Sequence, residues 1–466
     1  MPLAYLSHFK KKVQREGLSR RNCMKKLSVA LAGLLACASL FTGCSKKDAA
    51  SGSGYASSSS ASASGTKTVT IWDFKCGSGA SKTAMEQIDA LIEKNNPDIK
   101  INHVAQPDGD NYYQLVRAAV QAGEGPDIVM FHGGVQAYEF DDYTLPLDSY
   151  ISSWRSEIAE GNWAFCSENG DGSKPVHMVP LTTQGFGIYT NKTLLKKAGI
   201  DPDKIPATKE EFLANCQVLK KAGIAPIVGG FSGGPFTVDF LFRCFIANIY
   251  GDRVADLAKN VDFAGNAQFK EACEITKELM TKYIDDDASS TVYFTDAGDN
   301  FAAGKGAMFI GLLSDVNNWK TFCDALGKDN VGYYPTVNFK NASGKDIQVL
   351  QPCGIGYSIM KWTKNPDAAA KVLQAYGSGE GPAIFMGVTG ALGVNKKADI
   401  KSLGYPIVGE ILARKSALDV TNILTNEDAN SNFDRYCTEA FVSGEISIDE
   451  FIAKCQTMLV NARAAR

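Results

Sequence analysis

The sequence predicts an α/β protein made of two strand–helix units in series, followed by a further α/β stretch from Gly354 and a helical C-terminus. Three observations carry this prediction. Short β-branched strands alternate with amphipathic helices from Thr66 onward, the pattern restarts after Pro180, and no later run is apolar for long enough to span a bilayer. Alternation of this kind argues for mostly parallel sheets covered by helices on both faces.

The elements follow in order. In Met24–Cys44, Lys25 and Lys26 precede an apolar run from Leu27 to Leu40, and Thr42 and Gly43 lead into Cys44. A basic segment, an apolar segment too short to span a membrane and a small-residue cleavage site make a secretory signal. Ending on Gly-Cys, it resembles a bacterial lipoprotein signal over residues 24–43, with Phe41 where such signals usually carry Leu. That resemblance implies acylation (palmitate) at Cys44 and attachment to the outer face of the cell membrane. Met1–Cys23 is basic and has no core pattern, so residues 1–23 are expected to be a mis-called upstream segment and Met24 the true initiator. Ser45–Gly65 is a Ser/Ala/Gly tether with little to bury, and as a flexible coil its 21 residues span about 25 Å.

The body opens with a strand at Thr66–Phe74 and a turn at Cys76–Ala80. A helix carrying Met85, Ile88, Leu91 and Ile92 ends at Asn95-Asn96-Pro97. A strand (Ile99–Val104), a helix (Tyr112–Ala122) and a strand (Asp127–Phe131) complete the first unit, in which Trp72 is expected in the core. Asp171-Gly172 predicts a hairpin turn. The second unit predicts a strand at Gly185–Thr190, a short helix at Asn191–Ala198 and a helix through Leu219 opened by the capping box Thr208-Lys-Glu-Glu211. A strand at Ala225–Val228 and helices at Phe236–Ile249 and Ala267–Met280 follow.

Composition excludes several functions. A net charge of −3 with intermixed acids and bases offers no basic stripe for nucleic acid. Beyond Cys44 lie nine scattered cysteines without Cys-x-x-Cys, which reads as buried thiols and not as a disulfide scaffold. Gly230-Phe-Ser232-Gly-Gly234 matches the Gly-x-Ser-x-Gly turn of serine hydrolases, but that mechanism needs a histidine after the serine. His103, His132 and His177 all precede it. The same three histidines have no ligand spacing, and Asp285-Asp286-Asp287 lacks the alternating oxygens of a calcium loop, so no metal and no cofactor are expected. Gly77-Ser78-Gly79 before a helix is read as a tight turn in preference to an anion site. Paired carboxylates for glycoside cleavage meet only in the fold, and that chemistry stays open.

The order of local signatures resembles family 1 of the extracellular solute-binding proteins of ABC importers, the carbohydrate-binding, maltose-binding-protein-like group. The resemblance runs from about Thr66 to the C-terminus. It rests on Lys94-Asn-Asn-Pro-Asp-Ile-Lys100, Gly125-Pro-Asp-Ile-Val129, Leu145-Pro-Leu-Asp148, Gly185-Phe-Gly-Ile-Tyr-Thr-Asn191-Lys192, Phe301-Ala-Ala-Gly304-Lys-Gly-Ala-Met308 and Lys364-Asn-Pro-Asp-Ala-Ala369. It implies a two-lobed periplasmic-binding-protein-like fold of type II, each lobe a mostly parallel sheet flanked by helices, joined by a hinge. Lobe one would hold residues 66–181 and about 354–397, and lobe two residues 184–351 and about 398–466. The implied function is that of a receptor that shuts around a sugar or oligosaccharide and delivers it to membrane permease subunits, acting as a monomer and without catalysis. A surface glycoside hydrolase and a receptor for a non-sugar solute are the alternatives.

Positions that match the family's cleft are Phe74, Cys76 and Gly77 after the first strand, His132 and Gly133 after the third, and Gln184 beside the hinge. Phe236 opens a lobe-two helix with Asp239 one turn on, Leu313 follows the Ala-Met strand, and Phe433 lies near the C-terminus. Aromatic faces stack on the C–H faces of a sugar ring while polar groups fix its hydroxyls. Relatives often place Pro-Trp where Leu312-Leu313 stand here, which favours a smaller sugar over a long maltodextrin.

Overall fold

The computed structural model describes residues 65–107, 110–163, 165–166, 174–313, 318–420 and 427–464. The expected signal, Cys44, nearly all of the tether and the Asp171-Gly172 turn lie outside the described residues. Among the described residues, no helix is long and apolar enough to cross a membrane.

Along the chain, β1 (Lys67–Asp73), α1 (Gly79–Asn95), β2 (Ile99–Ala105), α2 (Asp110–Ala122), β3 (Ile128–His132) and β4 (Val179–Pro180) come first. They are followed by β5 (Gln184–Asn191), α3 (Lys192–Lys197), α4 (Lys209–Lys221), β6 (Ala225–Val228), α5 (Phe236–Tyr250), α6 (Ala267–Lys282), β7 (Gly306–Leu312), β8 (Val331–Tyr334) and β9 (Gln348–Gln351). The chain continues through β10 (Ile355–Ile359), α7 (Pro366–Gly377), α8 (Gly381–Thr389), β11 (Ser416–Ala417), α9 (Glu427–Cys437) and α10 (Ile448–Ala464).

Local chemistry sets these elements. The alternation of β1 buries Val69, Ile71 and Asp73, while the half-buried Trp72 lies against the same core. Asn191 caps α3 by accepting the Leu194 N–H at 3.2 Å. The Thr208 hydroxyl caps α4 by accepting the Glu211 N–H at 3.3 Å, and the Glu211 carboxylate reaches back to the Ala207 N–H at 2.7 Å. In α5, thirteen of fifteen residues are buried, so this helix is enclosed by its core on nearly all sides.

The described residues form two sheets and two hydrophobic cores. The first sheet has the order β2-β1-β3-β10-β4, and the second β11-β9-β5-β7-β6 with β8 also paired to β5. Val69, Ile88, Phe131, Tyr357 and Leu373 belong to the first core; Phe186, Leu241, Phe309, Phe433 and Leu459 belong to the second.

Both sheets are mixed, which corrects the expectation of mostly parallel sheets. β1 is parallel to β2 and β3, but β10 is antiparallel to β3 and β4. β5 is antiparallel to β7, β8 and β9, and only β6–β7 and β9–β11 are parallel. The reason is connectivity. Strands fed by helices run toward the passage between the sheets, whereas β5 and β10 begin at that passage and must run away from it.

Three chain segments make the passage, and they lie side by side. The Thr183 N–H donates to the Leu392 carbonyl at 2.9 Å, Gly354 N–H to the Thr182 carbonyl at 2.6 Å, and Gln184 pairs with Gln351 across β5 and β9. A Cβ on Gly354 would stand 2.3 Å from the Thr183 carbonyl, and one on Gly185 2.2 Å from the Val349 carbonyl. Only glycine lets these strands approach so closely.

Glu157 ties the third segment to lobe one. Its carboxylate accepts from Lys397 Nζ at 2.7 Å, Ser378 Oγ at 2.8 Å and Asn395 Nδ2 at 3.3 Å, and its carbonyl takes the Lys396 N–H at 2.8 Å. Partial burial works to raise its pKa, but the bonds from Lys397, Ser378 and Asn395 outweigh it and hold the group down to about 2. Because the folded value lies below the ordinary 4.5, its stabilisation is complete above pH 4.5 and lost as pH falls through about 2. Glu157→Gln is therefore expected to cost about 1 kcal/mol at pH 7. Thermal melts of variant and parent taken down the pH scale should converge in that acid range.

Candidate functional site

The two sheets present their loops to the same passage. β1 and β3 end there, because Ile355 at the start of β10 faces His132 at the end of β3. In the second sheet Phe186, near the start of β5, faces Leu312 at the end of β7, and β6 is parallel to β7. The loops after β1, β3 and β6 thus border a cleft floored by residues 181–184, 351–355 and 390–395. This is the sheet-end position where α/β folds bind ligands.

On the lobe-one side, Asp73 is fully buried and accepts the N–H groups of Lys75 and, at 2.9 Å, Cys76, which folds the loop 74–77 back over the strand end. Phe74 stacks on His132 with centroids 4.6 Å apart and 22° between the planes, and meets Tyr112 edge-on at 5.0 Å. Tyr113 Oη lies 3.0 Å from His132 Nδ1 and accepts the His132 N–H at 3.2 Å, which fixes that half-buried ring. Gly77 is exposed at the loop end. Gly133 donates its N–H to the Gly354 carbonyl at 2.9 Å, and a Cβ there would strike Cys353.

Behind this loop His103 bridges two carboxylates. Its Nδ1 lies 2.8 Å from Asp89 Oδ2 and its Nε2 3.1 Å from Asp73 Oδ2. Tyr376 donates to Asp89 Oδ1 at 2.8 Å and Tyr357 donates to Asp73. Burial disfavours the imidazolium, yet the bonds to Asp73 and Asp89 outweigh it and raise the pKa to about 12. The network holds Asp73, and through Asp73 the loop 74–77.

On the lobe-two side, the β6–α5 loop carries Gly230, Ser232 and Gly234. It packs against residues 291–293, with the Ser232 N–H on the Thr291 carbonyl at 3.0 Å. The described histidines sit on β2, on β3 and just before β4, and the Gly-x-Ser-x-Gly segment connects β6 to α5. Phe236 is half-buried and lies 4.6 Å from Phe294 and 5.6 Å from Tyr293. Phe294 is 51% exposed. The sequence offers no signal for Phe294, because a single helical turn at Tyr293–Ala297 is too short to show an apolar period.

Gln184 is half-buried at the start of β5 and accepts from Gln351 Nε2 at 3.0 Å. Three candidates have other occupations. Leu313 is fully buried and donates its N–H to the Gly185 carbonyl at 2.8 Å. Phe433 is 1% exposed among Phe242 and Phe451, so its ring offers no face to a ligand. Asp239 is 1% exposed and bound to Arg243, with Nη2 2.8 Å and Nε 2.9 Å from its oxygens. Arg243 also meets Asp419 at 3.2 Å and Asp434 at 3.5 Å. Burial pushes the Asp239 carboxyl up against the pull of Arg243, while the three carboxylates outweigh burial and keep the guanidinium ionised.

All nine described cysteines beyond Cys44 are free, and eight are buried. Burial raises the Cys216, Cys244, Cys273 and Cys455 thiols, which suits inert packing groups. Cys76 is the one only partly buried.

A sequence model described as bacterial extracellular solute-binding protein matches residues 78–381. The multiple sugar-binding protein of Streptococcus mutans is 24% identical over 237 residues, 50% of this chain and 54% of that protein. An uncharacterised ABC transporter extracellular-binding protein of Pyrococcus horikoshii is 26% identical over 158 residues, 33% of this chain and 35% of its own length. The chain thus spans about half or less of the curated relatives it matches. Among solved structures, a chitin oligosaccharide binding protein superposes with a TM-score of 0.73 at 18% identity, covering 86% of this chain and 99% of that one. At that identity the likeness shows the fold, a two-lobed periplasmic binding protein. With the family match covering well over half of the sequence, this chain belongs to the bacterial extracellular solute-binding proteins.

Proposed function

We propose that the protein is a lipid-anchored receptor that binds a sugar or oligosaccharide in the cleft and passes it to an ABC permease by hinge closure. One observation carries the reading. Aromatic groups lie at loop ends of both sheets, the half-buried His132 stacked on the buried Phe74 on one and Phe236 with the exposed Phe294 on the other. Polar groups that can fix hydroxyls (Gln184, His132) stand beside them. The sugar-binding names of the Streptococcus mutans relative and the chitin oligosaccharide binding protein agree with it.

Closure follows from differential affinity. A ligand that touches both lobes only when they are shut populates the shut form, and a permease preferring that form receives loaded receptor. The anchor is Cys44, and the working location is the outer face of the membrane. One acyl chain gives marginal retention, so two or more are needed.

The test is a melting screen across mono- and oligosaccharides. A cognate sugar at one hundred times its Kd should stabilise the fold by about 2.7 kcal/mol without being consumed. Release of shorter sugars by the pure protein would overturn the receptor reading in favour of a hydrolase. A shift seen only with non-sugar solutes would overturn the sugar assignment.

A further inference from the structure

We infer that Asp73, Cys76 and His103 form a binding site for one zinc-like divalent ion at the edge of the cleft. One ligand atom from each of the three residues lies within 4.8 Å of the others, and His103 Nε2 and Asp73 Oδ2 are 3.1 Å apart. Ligands held about 2.0–2.3 Å from a tetrahedral zinc stand roughly 3.3–3.7 Å from one another, so small rotations close the set. Thiol, imidazole and carboxylate together suit zinc, whereas calcium and magnesium favour oxygen alone.

The surroundings are those of a built metal site. Metal-bound histidines usually donate their second ring N–H to a carboxylate, and here Nδ1 already faces Asp89 at 2.8 Å. Asp89 is in turn held by the Tyr376 hydroxyl at 2.8 Å, and Asp73 by that of Tyr357. An ion would take the place of the proton on Nε2 and that on the Cys76 thiol. The fourth position opens on a cavity of about 260 Å³ lined by Cys76, Lys82, Glu86, Asp89 and His103, which gives a water ligand room and the ion a way in. The bound ion would pin the loop 74–77 to β2.

The experiment uses the untagged full chain, stripped with a chelator and titrated with zinc or cobalt in the absence of sugar. One ion per chain is expected, with a thiolate-to-cobalt charge-transfer band. Alkylation of Cys76, followed by peptide mapping, should slow about tenfold or more. Cys76→Ser, nearly isosteric at a partly buried position, should abolish the band, and Asp89→Asn should weaken zinc about 10–100-fold while the band persists at saturation. Absence of stoichiometric uptake, or uptake unchanged in Cys76→Ser, would overturn the site. The melting screen on the chelator-stripped parent chain reads sugar binding separately, so loss of the zinc site and loss of the sugar reading are told apart.

Discussion

Replacing Arg243 with methionine is expected to destabilise the protein by about 3–5 kcal/mol, read as a lowered midpoint in urea or thermal unfolding. Arg243 is the cation shared by Asp239, Asp419 and Asp434, and the first two carboxylates are each 1% exposed. Its guanidinium also lies 5.4 Å from the Phe186 ring and 5.9 Å from that of Phe240, so methionine keeps some packing but none of the charge. The loss is therefore electrostatic, as removing one partner leaves buried charge uncompensated. Adding Asp239→Asn to Arg243→Met should restore part of the stability, because one uncompensated carboxylate is then neutral. The cluster joins α5 to Asp419 and to Asp434 of α9, so the C-terminal segment should loosen first in hydrogen exchange. A variant as stable as the parent would show that the cluster contributes nothing net.

Phe236→Ala and Phe294→Ala are each expected to weaken binding of the sugar found in the melting screen about 10–100-fold, roughly 1.4–2.8 kcal/mol. Phe236 is half-buried beside Phe294, which is 51% exposed, and Phe236 also packs on Tyr293 and Phe240. Phe433→Leu is the contrast. It should lower stability, since the ring is enclosed in the lobe-two core, and leave calorimetric affinity unchanged. If both lobe-two variants bind as the parent does, the cleft assignment is wrong although the family is unchanged.

Much of the architecture was legible because it rests on near neighbours in sequence. The capping Thr208, the strand at Ala225–Val228 and the helix from Phe236 form where the pattern places them. Strand direction was less legible, since alternation of strands and helices cannot show that β5 and β10 begin at the passage and reverse. The site residues divide by the same reasoning. Among the candidates, Phe74 directly follows β1, His132 ends β3 and Gln184 opens β5, so all three lie by the passage. Leu313, Asp239 and Phe433 have the right spacing or residue type, yet burial claims all three.

What the sequence alone determined is the run of strands and helices and the family signature, since hydrophobic period and capping act over a few residues. The tertiary structure decided which distant groups meet. It set His103 between Asp73 and Asp89, brought Asp419 to Arg243 across 176 positions and left Phe294 exposed beside Phe236. Such contacts depend on how two sheets pack and where three crossings run, and no local spacing encodes that geometry.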